Sequence, residues 1–222
     1  MKLDKHLNIY YDEKDNGDKV AVKECKDNYK YIDFKDKVVL DLGANIGGFT
    51  KLALDNGCKK VIAVECLKRN FDMLKYNCSD DRSFLLYGAV SNEQSETVDV
   101  YKSNSKRSNI SVKTSDSITN RNSTYENVEK VTAYNLYSLL DQYKPDILKI
   151  DVEGAEFFIF DEDKKINESV KEMFLEIHLT SKRRFNQLIH VIEQFDEHIF
   201  NHSTWGAKEN CSVTGYDCRF KR

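Results

Sequence analysis

The sequence predicts an α/β protein built on a mostly parallel β-sheet flanked by helices. From residue 38, apolar runs alternate with segments of helical period: Val38 to Leu42, a helix from about Gly47 to Asn56, and then Lys60 to Val64. The runs are apolar on both faces, as expected of strands that are buried between helices. Gly57 stands where a helix C-cap is expected. Strands that alternate with helices in this way indicate a parallel sheet.

The alternation continues along the chain. A second helix is predicted from about Leu67 to Cys78, followed by a strand from Ser83 to Val90. Further on, a helix from about Asn135 to Tyr143 precedes two apolar strands, Asp146 to Asp151 and Glu172 to His178. These segments supply the remaining parallel strands of the predicted sheet.

The last part of the sequence predicts one helix and two strands. Apolar residues fall on one face of a helix from Ser181 to Phe195, so that face is expected to pack on the core. Two strand candidates follow, around His198 to Asn201 and from Val213 to Phe220. They suit an antiparallel edge on an otherwise parallel sheet.

Residues 1–36 predict a small β-rich extension in front of a main domain at 37–222. Short alternating runs at Leu7 to Tyr11, Lys19 to Glu24 and Tyr29 to Phe34 are separated by polar turns such as Asp15-Asn16-Gly17-Asp18. A polar insertion, Ser103 to Asn127, interrupts the main domain between strand candidates at Val98 to Lys102 and Val128 to Ala133. Such an insertion is either a solvated loop or a cover over the substrate, and we expect it on the acceptor side.

Length and charge limit the class of protein. The 222 residues suffice for one full domain, and 34 basic against 37 acidic residues give a net charge of −3. This balance removes the broad attraction on which dedicated nucleic-acid and polybasic membrane binders rely. No run approaches the roughly 18 apolar residues of a membrane span, and the charged start lacks the apolar region of a signal peptide. We expect a soluble, intracellular, cytoplasmic protein without a membrane span, for which nucleic acid is not the expected partner.

The first predicted strand ends in a glycine-rich turn that leads into a helix, Asp41-Leu42-Gly43-Ala44-Asn45-Ile46-Gly47-Gly48. In open α/β sheets ligands bind at this edge, where backbone N–H groups and a helix N-terminus converge. The next strand ends in Glu65, seventeen residues after Gly48, and such an acid accepts hydrogen bonds from ribose hydroxyls. The glycines match neither the dinucleotide fingerprint nor the phosphate loop of nucleotide hydrolases. An adenosine-containing cofactor is therefore implied.

The Asp-x-Gly-x-x-x-Gly order resembles motif I of class I S-adenosylmethionine-dependent methyltransferases. The resemblance implies a Rossmann-like, mostly parallel seven-stranded sheet, with S-adenosyl-L-methionine as the cofactor. It further implies that Asp41 and the loop backbone hold the methionine portion and that Glu65 holds the ribose. The full set of predicted cofactor-binding residues is Asp41, Gly43, Asn45, Gly47, Phe49, Glu65, Cys66, Ala89, Val90 and Asp151.

A second signature, Lys149-Ile150-Asp151-Val152-Glu153-Gly154-Ala155-Glu156, follows in the chain. Together with motif I and the run Met173 to His178, it is similar to the FkbM-type methyltransferases over about residues 36 to 180. The resemblance implies methyl transfer to hydroxyls of sugars, glycans or secondary metabolites. Two departures occur: Thr132-Ala133-Tyr134-Asn135 stands where the family has Thr-x-Leu-Asp, and Glu65-Cys66 replaces the usual Glu-Pro.

Polar side chains at the ends of two neighbouring predicted strands suggest the catalytic group. Residues two apart share a strand face, so Lys149 lies with Asp151 and Glu176 lies with His178. Lys149 and Glu176 are interpreted as an internal ion pair. His178, oriented by Asp151, is predicted as the base that activates an acceptor hydroxyl, with Glu176 beside it.

Three alternatives stay open at this point. Asp151, Glu153 and Glu156 offer carboxylate oxygens that suit Mg²⁺, so a metal is an alternative to the His178 base. The acceptor is expected to be a glycan or small molecule, with RNA ribose 2′-O-methylation as a second enzyme hypothesis. A cofactor-binding interaction protein without turnover is the third. The oligomeric state is left open.

Overall fold

The computed structural model describes residues 1–92, 95–103, 110–112, 125–179, 186–203 and 214–222, with side chains at 1–92, 95–101, 129–177, 186–200 and 217–222. The strands, numbered in chain order, are β1 (Lys2–Asp4), β2 (Ile9–Tyr11), β3 (Val38–Leu42), β4 (Lys60–Glu65), β5 (Ser83–Tyr87), β6 (Ala89–Val90), β7 (Thr97–Ser103), β8 (Ile110–Val112), β9 (Tyr125–Tyr134), β10 (Ile147–Ile150), β11 (Glu172–Leu179), β12 (Glu197–Ser203) and β13 (Thr214–Lys221). The helices are α1 (Asn16–Asn28), α2 (Gly48–Asp55), α3 (Lys68–Asn77), α4 (Leu136–Tyr143), α5 (Glu156–Ile159) and α6 (Ile189–Ile192).

The main sheet has the predicted seven strands within the described part of the chain, in the order β12-β13-β11-β10-β3-β4-β5. Strands β5, β4, β3, β10 and β11 run parallel to one another, whereas β13 is antiparallel to both β11 and β12. The strand order reverses between β3 and β10, and an open α/β sheet binds its ligands at such a switch point. The prediction of a Rossmann-like, mostly parallel sheet with an antiparallel edge is confirmed.

The register explains which side chains meet at the switch point. Asp41 on β3 lies level with Lys149 on β10, and Lys149 lies level with Phe174 on β11. Asp151 and Glu176 are the next residues after the paired Ile150 and Leu175. The carboxyl ends of three neighbouring strands therefore carry the polar residues of both sequence signatures.

The N-terminal segment contains β-strands as predicted, with β2 inside the run Leu7 to Tyr11, but its second half differs from the prediction. Strands β1 and β2 form an antiparallel pair, but Lys19 to Glu24, predicted as a strand, lies inside the 13-residue helix α1. The segment read as a turn is the start of this helix, because the Asp15 side chain accepts hydrogen bonds from the N–H groups of Gly17 and Asp18. The run from Tyr29 to Phe34 contains no strand.

The N-terminal segment and the sheet share one hydrophobic cluster. Ile9, Val22 and Phe34 are buried in the same cluster as Val39 and Phe49. Asn77 on α3 ties β2 down further, since its side chain exchanges hydrogen bonds with the Tyr10 backbone at 2.8 and 2.9 Å. Residues 1–36 thus pack directly on the motif I region, and a domain boundary at 36/37 stays a prediction.

A smaller sheet, with strand order β6-β9-β7-β8, flanks the main one. The predicted strand from Ser83 to Val90 is divided at Gly88, where a Cβ would lie 2.4 Å from the Thr132 carbonyl oxygen. Strands β7 and β9 confirm the predictions at Val98 to Lys102 and Val128 to Ala133. Of the predicted insertion at 103–127, residues 104–109 and 113–124 lie outside the described residues.

The C-terminal strands β12 and β13 confirm the predicted antiparallel edge. The helix predicted from Ser181 to Phe195 is represented by a 3₁₀ turn, Asn186–Leu188, followed by α6, while residues 180–185 lie outside the described part. No helix among the described residues combines the length and apolar character needed to cross a bilayer.

Candidate active site

The glycine loop after β3 makes a close approach to the segment after β10. Gly43 has φ +80°, and a Cβ on it would lie 1.7 Å from the backbone oxygen of Asp151. The N–H groups of Gly43 and Ala44 both donate to the Val64 carbonyl oxygen at 3.0 Å. Glycine is required here because the left-handed backbone and the close approach both exclude a side chain.

Lys149 is the buried centre of the site. Its ammonium donates to the Gly43 carbonyl oxygen at 3.1 Å and lies 3.3 Å from Asp41 Oδ1 and 3.4 Å from Asp151 Oδ2. Burial alone would lower the pKa of Lys149, but the charges of Asp41 and Asp151 outweigh it and hold the pKa well above its ordinary value. Asp41 and Asp151 are thus two carboxylates that contact this ammonium, and the ion pair of Lys149 with Glu176 stays a prediction.

Asp41 is fully buried at the end of β3. Its Oδ2 accepts a hydrogen bond from Thr50 Oγ1 at 2.6 Å. Its Oδ1 accepts no hydrogen bond from the described residues, although it contacts the Lys149 ammonium as an ion pair. Buried carboxylate oxygens normally accept hydrogen bonds, so Oδ1 has capacity for a further donor.

Glu65 joins the glycine loop to the start of α3. Its Oε2 accepts from the N–H of Asn45 at 2.8 Å, and its Oε1 accepts from the N–H of Leu67 at 2.7 Å. Burial raises the pKa of Glu65 to about 7, against the opposing effect of these two hydrogen bonds. Each carboxylate oxygen can accept a second hydrogen bond, so this geometry leaves room for ribose hydroxyls.

The segment after β10 turns sharply through two left-handed residues, Glu153 with φ +52° and Gly154 with φ +102°. Glu156 is fully buried, and its carboxylate accepts a hydrogen bond from the N–H of Gly154 at 2.8 Å. The described His, Cys, Asp and Glu side chains include no group of three arranged to hold a metal ion. Asp151, Glu153 and Glu156 are therefore not placed together as a set of metal ligands. Glu156 instead stabilises the turn through its hydrogen bond with Gly154.

The remaining predicted site residues lie in strands β6 and β11, directly after β4 and in the core beneath the loop. Ala89 and Val90 are buried in β6, and Cys66 is half-buried directly after Glu65. Phe49 packs inside the core, with its ring 4.9 Å from that of Tyr29, so its side chain belongs to the core beneath the loop. The backbone of His178 pairs with Gly215 near the end of β11, and its side chain lies outside the described residues.

Helix α1 borders the site, a feature that the sequence analysis missed. A Cβ on Gly48 would lie 2.7 Å from Cys25 Sγ, so α1 packs on the first turn of α2. Glu24, the preceding residue, is half-buried within electrostatic range of Asp151. The available signal was the helical spacing of Asp18, Val22 and Cys25 after an Asp at the N-cap.

The model of the methyltransferase FkbM domain matches residues 41–201, more than half of the 222-residue chain. This chain belongs to the FkbM methyltransferase family. The match spans both sequence signatures, from Asp41 on β3 to Asn201 on β12. It confirms the family resemblance that the sequence indicated. No curated protein sequence matches the chain.

Solved structures similar to this FkbM-family chain have low sequence identity to it. Precorrin-6y C5,15-methyltransferase from Geobacter metallireducens has 12% identity and a TM-score of 0.48, with 96% of this chain and 94% of that chain covered. Aeropyrum pernix fibrillarin with bound S-adenosyl-L-methionine has 13% identity and a TM-score of 0.44, with coverage of 90% and 74%. Precorrin 8w decarboxylase from Methanobacterium thermoautotrophicum has 12% identity and a TM-score of 0.48, with both chains fully covered at 100%.

Family and topology together support a class I, S-adenosylmethionine-dependent methyltransferase. The residues at the switch point fit this cofactor: Gly43 and Gly47 let the loop pack closely on Asp151 and on α3, and Asp41 Oδ1 and Glu65 retain acceptor capacity. The acceptor class, the cellular compartment and the position of the reacting groups stay predictions.

Proposed function

We propose that this FkbM-family protein is an O-methyltransferase whose acceptor is a hydroxyl of a glycan, sugar or small metabolite. Acidic residues in the described part of the site support this choice. Asp151, Glu153 and Asp217 gather around the position of Glu24, and Lys149, the one cation among the charged neighbours described there, already contacts Asp41 and Asp151. An uncharged hydroxylated acceptor tolerates such a surface, whereas the phosphates of RNA are repelled by it.

In the proposed complex the glycine loop and Asp41 hold the methionine portion, and Glu65 accepts hydrogen bonds from the ribose. When bound, S-adenosylmethionine supplies a methyl group carried on a positively charged sulfur. Lys149 fixes the position of Asp41 and Asp151 by contacting both. These residues bind and orient, and they leave the activation of the acceptor to a separate group.

His178 is proposed as that group. A hydroxyl is a weak nucleophile until its proton is removed, and an imidazole near neutral pH is suited to accept it. The backbone of His178 lies two residues beyond Glu176, towards the carboxyl end of β11. Asp151, at the equivalent end of the neighbouring strand, is proposed to orient the base or the acceptor hydroxyl.

The direct test is methyl transfer from labelled S-adenosylmethionine to a panel of glycans, small hydroxylated molecules and RNA. We expect label in the oxygen-linked methyl of a glycan or small molecule and none in RNA. Label in RNA ribose would replace this proposal with the RNA hypothesis. Tight cofactor binding without transfer to any acceptor would favour a cofactor-binding interaction protein.

Substitution of His178 by alanine is expected to lower kcat by about 10²–10⁴-fold with little change in cofactor affinity, since this is the usual size of general-base assistance. The base limb of the pH–rate profile should disappear with it. His198→Ala on edge strand β12 is the matched control, because its ring contacts the Phe195 carbonyl oxygen away from the switch point. A different result would favour the metal alternative: loss of activity with a chelator, recovery with Mg²⁺ and nearly normal activity of His178→Ala. In that case a metal ion, not His178, activates the hydroxyl.

Substitution of Glu65 by alanine is expected to weaken S-adenosylmethionine binding by about 1–3 kcal/mol, because the change removes charge-assisted hydrogen bonds to the ribose. Calorimetry on the folded variant measures the loss, and Asp72→Ala on the exposed face of α3 is the control. The wild-type protein should be stabilised against heat by the cofactor but not by NAD or ATP. Unchanged affinity in Glu65→Ala would remove this residue from the cofactor site.

A further inference from the structure

Three contacts fix the C-terminal half of α1 across the carboxyl end of the sheet. Cys25 packs on the start of α2, where its Sγ lies 2.7 Å from the position that a Cβ on Gly48 would take. The Asn28 amide donates to Asp217 Oδ2 on β13 at 3.4 Å. The Tyr29 ring lies 4.9 Å from that of Phe49 and 5.7 Å from that of Phe174. Glu24 lies one turn before Asn28 on the same face of α1, so it faces the same edge of the sheet as the Asn28–Asp217 contact.

The charges around Glu24 come from three elements besides α1. Asp151 and Glu153 face it from the segment after β10, Asp217 from β13, and Lys149 from β10. Burial, followed by the three carboxylates, raises the pKa of Glu24 to about 8, and Lys149 opposes this only in part. Among the described residues no hydrogen bond or ion pair holds the Glu24 carboxyl. Burial and the surrounding carboxylates therefore favour the protonated form of this carboxyl, which has no hydrogen-bond or ion-pair partner within the described part of the chain.

We propose that Glu24 lines the cofactor cleft and that its carboxyl releases a proton to solvent when the positively charged cofactor binds. The inference rests on the proposed cofactor. S-adenosylmethionine has a cationic sulfur and a cationic amino group, and a nearby positive charge favours the ionised form of a carboxyl group. No covalent bond is formed or broken at Glu24, and the carboxylate takes its proton back when the cleft empties. Glu24 thereby adds a negative charge to the cleft only while a cation is bound.

Proton release can be measured directly by calorimetry. S-adenosylmethionine is titrated into the wild-type protein, Glu24→Gln and Asp27→Asn at pH 7.0, in two buffers of different ionisation enthalpy. Asp27 is the matched control because it is an exposed acid on the same helix. We expect wild type and Asp27→Asn to release more protons per cofactor than Glu24→Gln. Between pH 7 and 8.5 the wild-type Kd should fall several-fold more than that of Glu24→Gln, while Glu65 contributes equally in both.

A second readout uses the protein without cofactor. Because burial disfavours ionised Glu24 in the folded state, the folded chain binds more protons than the unfolded chain above the ordinary carboxyl pKa of 4.5. Protonated Glu24 thus costs the folded state nothing below pH 4.5, whereas the free energy of unfolding decreases as the pH rises from 4.5 towards about 8. Glu24→Gln should therefore have a higher urea midpoint than wild type at pH 8 and a similar one at pH 4.5.

The outcomes separate this inference from the proposed function. If all three proteins bind the cofactor and Glu24→Gln releases as many protons as wild type, Glu24 is not in the cleft. The same conclusion follows if its Kd has the wild-type pH dependence. If none of the three proteins binds S-adenosylmethionine, the proposed function fails, and the inference fails with it.

Discussion

Replacement of Lys149 by methionine is expected to lower the free energy of unfolding by about 3–5 kcal/mol, the usual cost of removing one partner from a buried ion pair. The substitution leaves the carboxylate of Asp41 fully buried without its countercharge and removes the hydrogen bond to the Gly43 carbonyl. Methionine has nearly the same length as lysine, so the loss reports charge rather than volume. Urea unfolding measures it.

Two further variants test this explanation. Asp41→Asn in the Lys149→Met background removes the unpaired buried charge and should recover part of the lost stability. A double-mutant cycle measures the interaction energy between the two residues. Lys68→Met breaks an exposed ion pair with Asp72 and should leave the unfolding free energy essentially unchanged. If Lys149→Met and Lys68→Met cost the same, Lys149 is not the electrostatic centre of the switch point.

Replacement of Gly43 by alanine is expected to lower the free energy of unfolding by more than about 4 kcal/mol or to prevent folding. Losses of this size are exceptional and indicate a severe steric clash. The new Cβ would lie 1.7 Å from the backbone oxygen of Asp151, and backbone at that position can move only if β3 and β10 separate. The remaining folded fraction should bind S-adenosylmethionine poorly, because the loop can no longer hold its shape. Thermal unfolding and calorimetry measure both effects.

Gly57→Ala is the matched control for this change. Gly57 has φ +79°, nearly the same as the +80° of Gly43, but a Cβ there meets nothing within 4 Å. Gly57→Ala should therefore lower the free energy of unfolding only by the roughly 1–2 kcal/mol that a left-handed backbone conformation costs a residue with a Cβ. The difference between the two variants isolates the clash with Asp151. Equal losses would show that the close approach of the loop to β10 is unimportant for stability.

Strand positions and the glycine loop were predictable because their signals are local. Buried strands such as β3 and β10 are apolar on both faces, and the polar residues that end them mark the carboxyl edge of the sheet. The contact of Lys149 with Asp41 was not predictable in this way. It depends on the register between β3 and β10, which places Lys149 level with Asp41, and register is set by long-range packing.

Helix α1 was missed for a different reason. Its residues include Val20 and Val22, two β-branched residues whose spacing of two is that of one strand face, and Asp15 and Gly17 are common in turns. In the folded chain, burial of Val22 and Cys25 against the main domain and the Asp15 cap select the helix. The contribution of Glu24 to the site follows from this packing and could not be inferred before the helix was known.

The position of β13 affects how the sheet is completed. Strand β12 has no hydrogen-bonded contact with β11, because β13 lies between them and pairs with both. During synthesis β12 therefore emerges before β13, the strand that joins it to the sheet and that carries Phe220, a ring neighbour of Phe200 in the folded chain. Asp217 lies on β13 and accepts the hydrogen bond from the Asn28 amide, so this contact with α1 also forms only after β13 has been synthesised. Such long-range closure slows folding, and it delays completion of this edge of the sheet until β13 has also left the ribosome.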